Sequence, residues 1–374
     1  MVTPTFPSNT DGQSQSQSQS PSQSPSQSLT GAEANSTSQS QSQSQSGSPS
    51  GSQSQSQSGS PFPPSPRSSA GLGEASTPSV KPLVLHVSHR TTYRYSTAVE
   101  NAQHLATIRP LDCPWQRVLS YRETLDPAPR YRNNRVDTFG NNQLYFSLEQ
   151  PHASLQMLSE TTVALTPRWE SLDAAATPPW EAVAATMRYR LGEPFHSETE
   201  FCFASPNIGL SQGMRQYAAQ SFPPGCPLAV GAIDLMHRVY ADFEYRPSAT
   251  TYYTPAQKAF EMRKGVCQDF AQVMIGGLRA LGLPARYVSG YLRNDPPPGV
   301  ERLIGADASH AWVSVYCPDI GWIDLDPTND ILADLDHITL ATGRDYTDVS
   351  LLRGSLLGGG AHKIDVAVSV LAED

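Results

Sequence analysis

Residues 263–284 read Arg-Lys-Gly-Val-Cys-Gln-Asp-Phe-Ala-Gln-Val-Met-Ile-Gly-Gly-Leu-Arg-Ala-Leu-Gly-Leu-Pro, and their reading decides the fold. A turn glycine, Gly265, precedes an apolar run from Cys267 to Leu281. Gly282 and Pro284 end it, which is the pattern of a buried helix with a defined start and stop. Cys267 stands where that helix begins. The N–H groups of a first turn have no intrahelical acceptor, and together with the helix dipole they favour an anion. A thiol attacks only as thiolate, so a cysteine at a helix start is a candidate nucleophile, and the same N–H groups could receive an oxyanion.

Outward from this helix the pattern changes to strands. Ala285–Leu292, His310–Tyr316 and Gly321–Asp326 alternate or run apolar, and a Pro/Gly loop occupies Asn294 to Gly299. His310 opens one of these strands and Asp326 closes the next, so adjacent antiparallel strands could set the imidazole between thiol and carboxylate. In that arrangement Cys267 attacks a carbonyl. His310 pairs with the thiolate and protonates the leaving amine, and Asp326 fixes the imidazole tautomer. Asp324 competes for the third role, because a period of two puts it on the same strand face as Asp326. Asp269, in the first turn, is read as an N-terminal charge on the helix dipole. Tyr253, Trp312 and Trp322 are read first as packing or cleft wall. Cys113, Cys202, Cys226 and Cys317 are read as inert, with Cys317 past the end of its strand.

Upstream, Thr254 to Lys264 reads as a helix with Thr254 as N-cap and Pro255 in its first position. Residues 178–191, 211–221 and 228–243 are further helix candidates. Ala232, Leu235, Met236 and Val239 give the last of these one apolar face. Leu85–Tyr95, Ala106–Pro110, Val118–Leu125, Asn142–Leu148 and Ser154–Leu165 read as strands, with a turn at Asp137–Asn142 and a late strand at Ile364–Leu371. Residues 83–167 therefore read as a small antiparallel β domain, a sandwich, followed by a helical linker at 168–224 and an α+β core at 225–374.

The chain has 374 residues and a net charge of −9. From Asp11 to Ser60, 21 serines and 13 glutamines leave almost nothing to bury, so residues 1–80 read as a disordered Ser/Gln/Pro-rich tail. An acidic balance without basic clusters disfavours a sequence-independent nucleic-acid binder. No apolar stretch is long enough for a spanning helix, and the N-terminus lacks a secretory signal pattern. Five cysteines with no CxxC spacing make neither a disulfide framework nor a zinc site. No cofactor or metal is expected, and a reducing, cytoplasmic setting is the default.

The blocks Arg263–Ala271, Ala285–Leu292, Asp307–Tyr316 and Gly321–Asn329 together resemble the transglutaminase-like superfamily. Arg-Thr-Thr-Tyr-Arg-Tyr at 90–95, Asp137–Asn142 and Gly343–Val349 resemble its bacterial members, described as cysteine proteases with an N-terminal β domain. The resemblance covers roughly 83–374 and leaves the Ser/Gln tail unexplained. It implies a papain-like α+β core with Cys267, His310 and Asp326 as catalytic triad, and its Asp-Pro-Thr-Asn context selects Asp326 over Asp324. Many bacterial relatives carry His where this chain has Gln272. The implied activity is acyl transfer from an amide or isopeptide bond of a protein or peptide through a thioester, with hydrolysis favoured over cross-linking. A non-catalytic binding module retaining the fold is the alternative from another class, and the Gln-rich tail as an acyl donor is a third.

Overall fold

A computed structural model describes residues 81–192, 195–294 and 309–373. The tail at 1–80 and residues 295–299 of the Pro/Gly loop, about which the sequence raised expectations, lie outside the described residues. The first elements are strands: β1 (Leu83–Ala106), β2 (Gln116–Asp126), β3 (Tyr131–Val136), β4 (Asn142–Leu148) and β5 (His152–Leu165). Helices follow: α1 (Trp180–Thr186), α2 (Gln212–Ala219) and α3 (Leu228–Asp242). A two-residue strand β6 (Glu244–Tyr245), α4 (Ala256–Met262) and its partner strand β7 (Lys264–Gly265) lead into α5 (Cys267–Ala280). Next come β8 (Ala285–Leu292), β9 (Ser309–Cys317), β10 (Gly321–Asp326), β11 (Ile331–Leu332) and β12 (His337–Gly343). The chain closes with α6 (Tyr346–Val349), β13 (Leu352–Gly358) and β14 (His362–Ala372). No helix among the described residues is long and apolar enough to cross a membrane.

Two antiparallel sheets carry the fold. The smaller has the order β11-β10-β9-β8-β12, and α5 packs on one of its faces. Odd-numbered residues of β9 and β10 (Ala311, Val313, Val315, Ile323, Leu325) join Phe270, Met274 and Leu278 of α5 in one buried cluster. Even-numbered residues of these strands, among them His310, Trp312, Ser314, Asp324 and Asp326, occupy the opposite face by the period of two. The hydrophobic alternation of β9 and β10 thus places His310 and Asp326 on one face.

The larger sheet has seven strands, and here the sequence reading needs correction. β13 and β14 pair with β1 along nearly its whole length, from Leu85↔Ala372 to Ala106↔Leu352. The C-terminal strands, read above as part of the core at 225–374, are therefore strands of the N-terminal sheet. All seven strands are linked through β1 by hydrogen bonds. β5 pairs with the first half of β1 and β4 with the second, with a register shift between Arg94 and Val99. Residues from both halves, Phe146 and Leu148 with Leu155 and Met157, share a second buried cluster. Nor do the expected boundaries at 167 and 224 separate cores. Leu85, Val163, Leu165, Val368 and Val370 belong to the same cluster as α5 and β9. Each such fully buried aliphatic side chain contributes about 1.5–3 kcal/mol.

Smaller differences have local causes. Ala106–Pro110 is no separate strand, since β1 continues unbroken from Leu83 to Ala106. β3 is Tyr-Arg-Asn-Asn-Arg-Val with every residue exposed, so it carries no hydrophobic alternation to read. The helix expected at 178–191 stops at Thr186, and that at 254–264 covers only 256–262 with Pro255, not Thr254, at its N-cap position. Cys317 is the last residue of β9 and fully buried.

Candidate active site

The start of α5 is built by its own side chains. Asp269 accepts hydrogen bonds from the Val266 N–H (2.8 Å) and the Thr250 hydroxyl (2.6 Å), closing the first turn from within. A Cβ at position 265 would overlap the Asp269 carboxylate, so glycine is required there for this cap to form. The expectation for Asp269 as a helix-start charge matches this geometry. Burial of its carboxyl raises its pKa, and the bonds from Thr250 and Val266 oppose the rise.

The structure brings Cys267, His310 and Asp326 together. The Cys267 thiol is half-buried, and its interaction with the His310 ring is one of the causes that raise the pKa of that ring. His310 Nε2 lies 2.7 Å from Asp326 Oδ2, which leaves Nδ1 to face the thiol. Asp326 is fully buried, and its other oxygen accepts the N–H groups of Thr328 (2.9 Å) and Asn329 (3.3 Å). Asn329 Nδ2 reaches Oδ2 at 2.6 Å. Burial alone would lower the His310 pKa, but its bonds to Asp326 and Cys267 and their charges raise it to about 10. For Asp326, burial acts upward, and the hydrogen bonds and charges of His310 and His337 overcome it, holding the carboxyl well below the usual carboxylate range. Such a pair favours the imidazolium form of His310.

Asp324 is spoken for elsewhere. It pairs with Arg168 at 2.7 Å, both side chains buried, and the guanidinium is stacked on the Trp115 and Trp169 rings. Burial pushes the other thiols the opposite way from a reactive one: Cys113 and Cys317 to about 11, Cys202 to about 12, and Cys226 upward. Tyr253 is exposed beside Tyr252, whose carbonyl accepts from Gln268 Nε2 at 3.1 Å. Trp312 is buried under the His310 and His337 rings. Trp322 meets Phe201 and Tyr316 edge-to-face at the far end of the strands. Gln272 is fully buried, and its amide has no partner among the described residues.

One site residue went unread in the sequence. His337, at the start of β12, places Nε2 3.1 Å from Asp326 Oδ2. It is buried, and its Nδ1 has no partner among the described residues. The donor atoms of His310, Asp326 and His337 lie within 4.8 Å of one another, a set whose chemistry suits a divalent metal. Both Nε2–Oδ2 separations are, however, hydrogen-bond lengths, so the two imidazoles hold one carboxylate between them.

Comparison with known proteins gives the same picture of kinship. Residues 227–327 match the family model of the transglutaminase-like superfamily, and residues 85–164 match that of the bacterial transglutaminase-like N-terminal region. An uncharacterized protein of Mycobacterium tuberculosis is 42% identical over 292 residues, spanning 76% of this chain and 91% of that protein. The protein-glutamine gamma-glutamyltransferase of Pseudomonas aeruginosa is 38% identical over 94 residues, 23% of this chain and 14% of that protein. Among solved structures, a protein of Cytophaga hutchinsonii described as a candidate cysteine protease superposes with a TM-score of 0.60. It is 19% identical and covers 79% of this chain and 92% of that one, a likeness of fold.

Proposed function

Because the chain belongs to the transglutaminase-like superfamily, we propose that it is a cysteine-dependent acyl-transfer enzyme acting on an amide or isopeptide bond of a protein or peptide. Cys267 attacks the carbonyl as thiolate, and the tetrahedral oxyanion forms against the first-turn N–H groups of α5. His310 gives its proton to the departing amine, leaving a thioester on Cys267. Water then attacks the thioester, with His310 taking its proton, and the thiol and a carboxylic acid are restored. Asp326 keeps the imidazole oriented through both half-reactions. The reaction is hydrolysis, in a reducing compartment that keeps the thiols free. The observation that supports this reading is the His310–Asp326 pair at 2.7 Å, with Cys267 at the helix start contributing to the raised pKa of the same imidazole.

A primary amine as acceptor is the second reading. Supporting it is the 94-residue segment similar to the Pseudomonas gamma-glutamyltransferase. The test is mass spectrometry of the intact protein with a glutamine-containing peptide, quenched in acid, with and without cadaverine. An acyl adduct on Cys267 and a deamidated or cleaved peptide are expected, with cadaverine incorporated only as a minor product. Predominant cadaverine conjugate would select the amine reading. No adduct and no product from a range of peptides would overturn acyl transfer altogether.

A further inference from the structure

The sheet face that carries the triad continues past it. Arg286 of β8, Ser314 of β9 and Asp324 of β10 lie directly across from one another on that face. Ser314 is four residues from His310 along β9, or about 13 Å at strand spacing. At this far end opens a cleft of about 910 Å³ that none of the triad residues lines. Its wall holds an aromatic run, Phe139 to Phe201 (5.9 Å) to Trp322 (5.3 Å between ring centres). The Arg286 guanidinium lies 4.1 Å over the Trp322 ring, with its Nε directed at the Ser314 hydroxyl (3.3 Å).

Four arginines and four carboxylates line this cleft, but they pair unevenly. Arg344 is held by Asp348 in two bonds and approaches Glu200 at 3.7 Å. Asp137 is consumed by Asn141, Gln143 and the Phe139 N–H. The one carboxylate directly across the strands from Arg286, Asp324, already pairs with Arg168. Arg286 makes no ion pair among the described residues, and neither do the exposed Arg135 and Arg353 on the opposite wall. Asp137 and Glu198 are the two lining acids left for these three guanidinium groups, and neither makes an ion pair with them among the described residues. Burial drives the Arg286 pKa down to about 10, so its neighbours do not make good the water it has lost. A desolvated guanidinium with open N–H groups, flat on an indole, is suited to a bidentate oxyanion.

We propose that this cleft is a binding site for an organic anion, whose carboxylate or phosphate group is taken by Arg286 and whose flat apolar body lies along Trp322 and Phe201. The site is separate from the thiol chemistry and does not depend on the acyl-transfer reading.

The test is calorimetric titration of the full chain at low salt with phenyl phosphate, benzoate, inorganic phosphate and benzyl alcohol. One or both aryl anions should bind saturably, tighter than inorganic phosphate, and benzyl alcohol should not bind. The preferred aryl anion tells phosphate from carboxylate. Arg286→Gln should weaken binding about tenfold or more, added salt should weaken it in the wild type, and Cys267→Ala should leave it unchanged. If Arg286→Gln fails to fold by circular dichroism, the exposed pair Arg135→Gln/Arg353→Gln takes its place, with a loss of severalfold expected. No saturable binding of either aryl anion up to about 10 mM, or unaltered binding in the folded arginine variants, would overturn the proposal.

Discussion

The two sheets of this protein differ in how far apart in sequence their partners lie. In the five-stranded sheet β8, β9 and β10 follow one another, with α5 just before them, so the whole triad comes from residues 267–326. In the seven-stranded sheet β1 is held between strands from its own end of the chain and strands from the other end, with Leu85 opposite Ala372. The first arrangement keeps the reacting side chains on elements close together in sequence, with only residues 318–320 between β9 and β10. The second ties both chain ends to the body and pushes Leu85, Val368 and Val370 into the cluster beneath α5. The β region thus contributes to the core that also holds α5 and β9, and the two sheets should respond to mutation in opposite ways.

The largest contrast is expected at Cys267. Cys267→Ala should abolish acyl transfer, a loss of about 10³-fold or more, while the melting temperature barely moves. In the other sheet, Leu85→Ala removes a fully buried side chain and should cost about 2–5 kcal/mol in urea unfolding. Its activity per folded molecule should stay near wild type. If Leu85→Ala instead cut activity without loss of stability, the division of labour between the sheets would be wrong.

An intermediate effect is expected where β12 joins the two. His337→Asn removes one of the hydrogen bonds that hold Asp326. As a positioning change it should lower kcat by about 10–100-fold with KM little altered, and it should shift the pH dependence of the rate. Deletion without a change in the pH profile would reduce His337 to packing.

Proton linkage gives a further test. The His310 pKa, raised to about 10, means its pairing stabilises fully below its unfolded value of about 6.5 and is lost as pH climbs through about 10. Asp326 is depressed, so its contribution is present above about 3.9 and disappears only in acid. Stability measured by urea unfolding should therefore show no loss from this pair between about pH 3.9 and 6.5 in the wild type, and should decline from there toward about pH 10. The difference between wild type and Asp326→Asn should shrink toward both extremes of pH. The smallest effect belongs to Tyr253→Ala, an exposed side chain at the rim, expected within about 0.5 kcal/mol of wild-type stability.

What the sequence showed and what it hid divide along the same line. The helix from Cys267 and the strands that carry His310 and Asp326 announce themselves by local pattern, and the nucleophile's place at a helix start is visible in five residues. His337 carries no such signal. It sits eleven residues past Asp326 on a strand that was not recognised, and its role exists only through a contact between strands. Asp324 and Asp326 share a face and could be ranked from sequence only by the family context. Arg168, 156 residues away, is what occupies Asp324. Likewise the late strand at Ile364–Leu371 could be seen while β13 was not, and nothing in the composition of either says that its partner is β1.

The central claim is that Cys267 and His310 form a thiolate–imidazolium pair. The most direct measurement is the rate of iodoacetamide alkylation of each cysteine against pH, by peptide mass spectrometry, in wild type and His310→Ala. The account predicts that Cys267 reacts readily near pH 6, where Cys113, Cys202, Cys226 and Cys317 are silent, and that His310→Ala loses this early reactivity. A Cys267 that reacts only at the pH of an ordinary thiol, unchanged by His310→Ala, would contradict it.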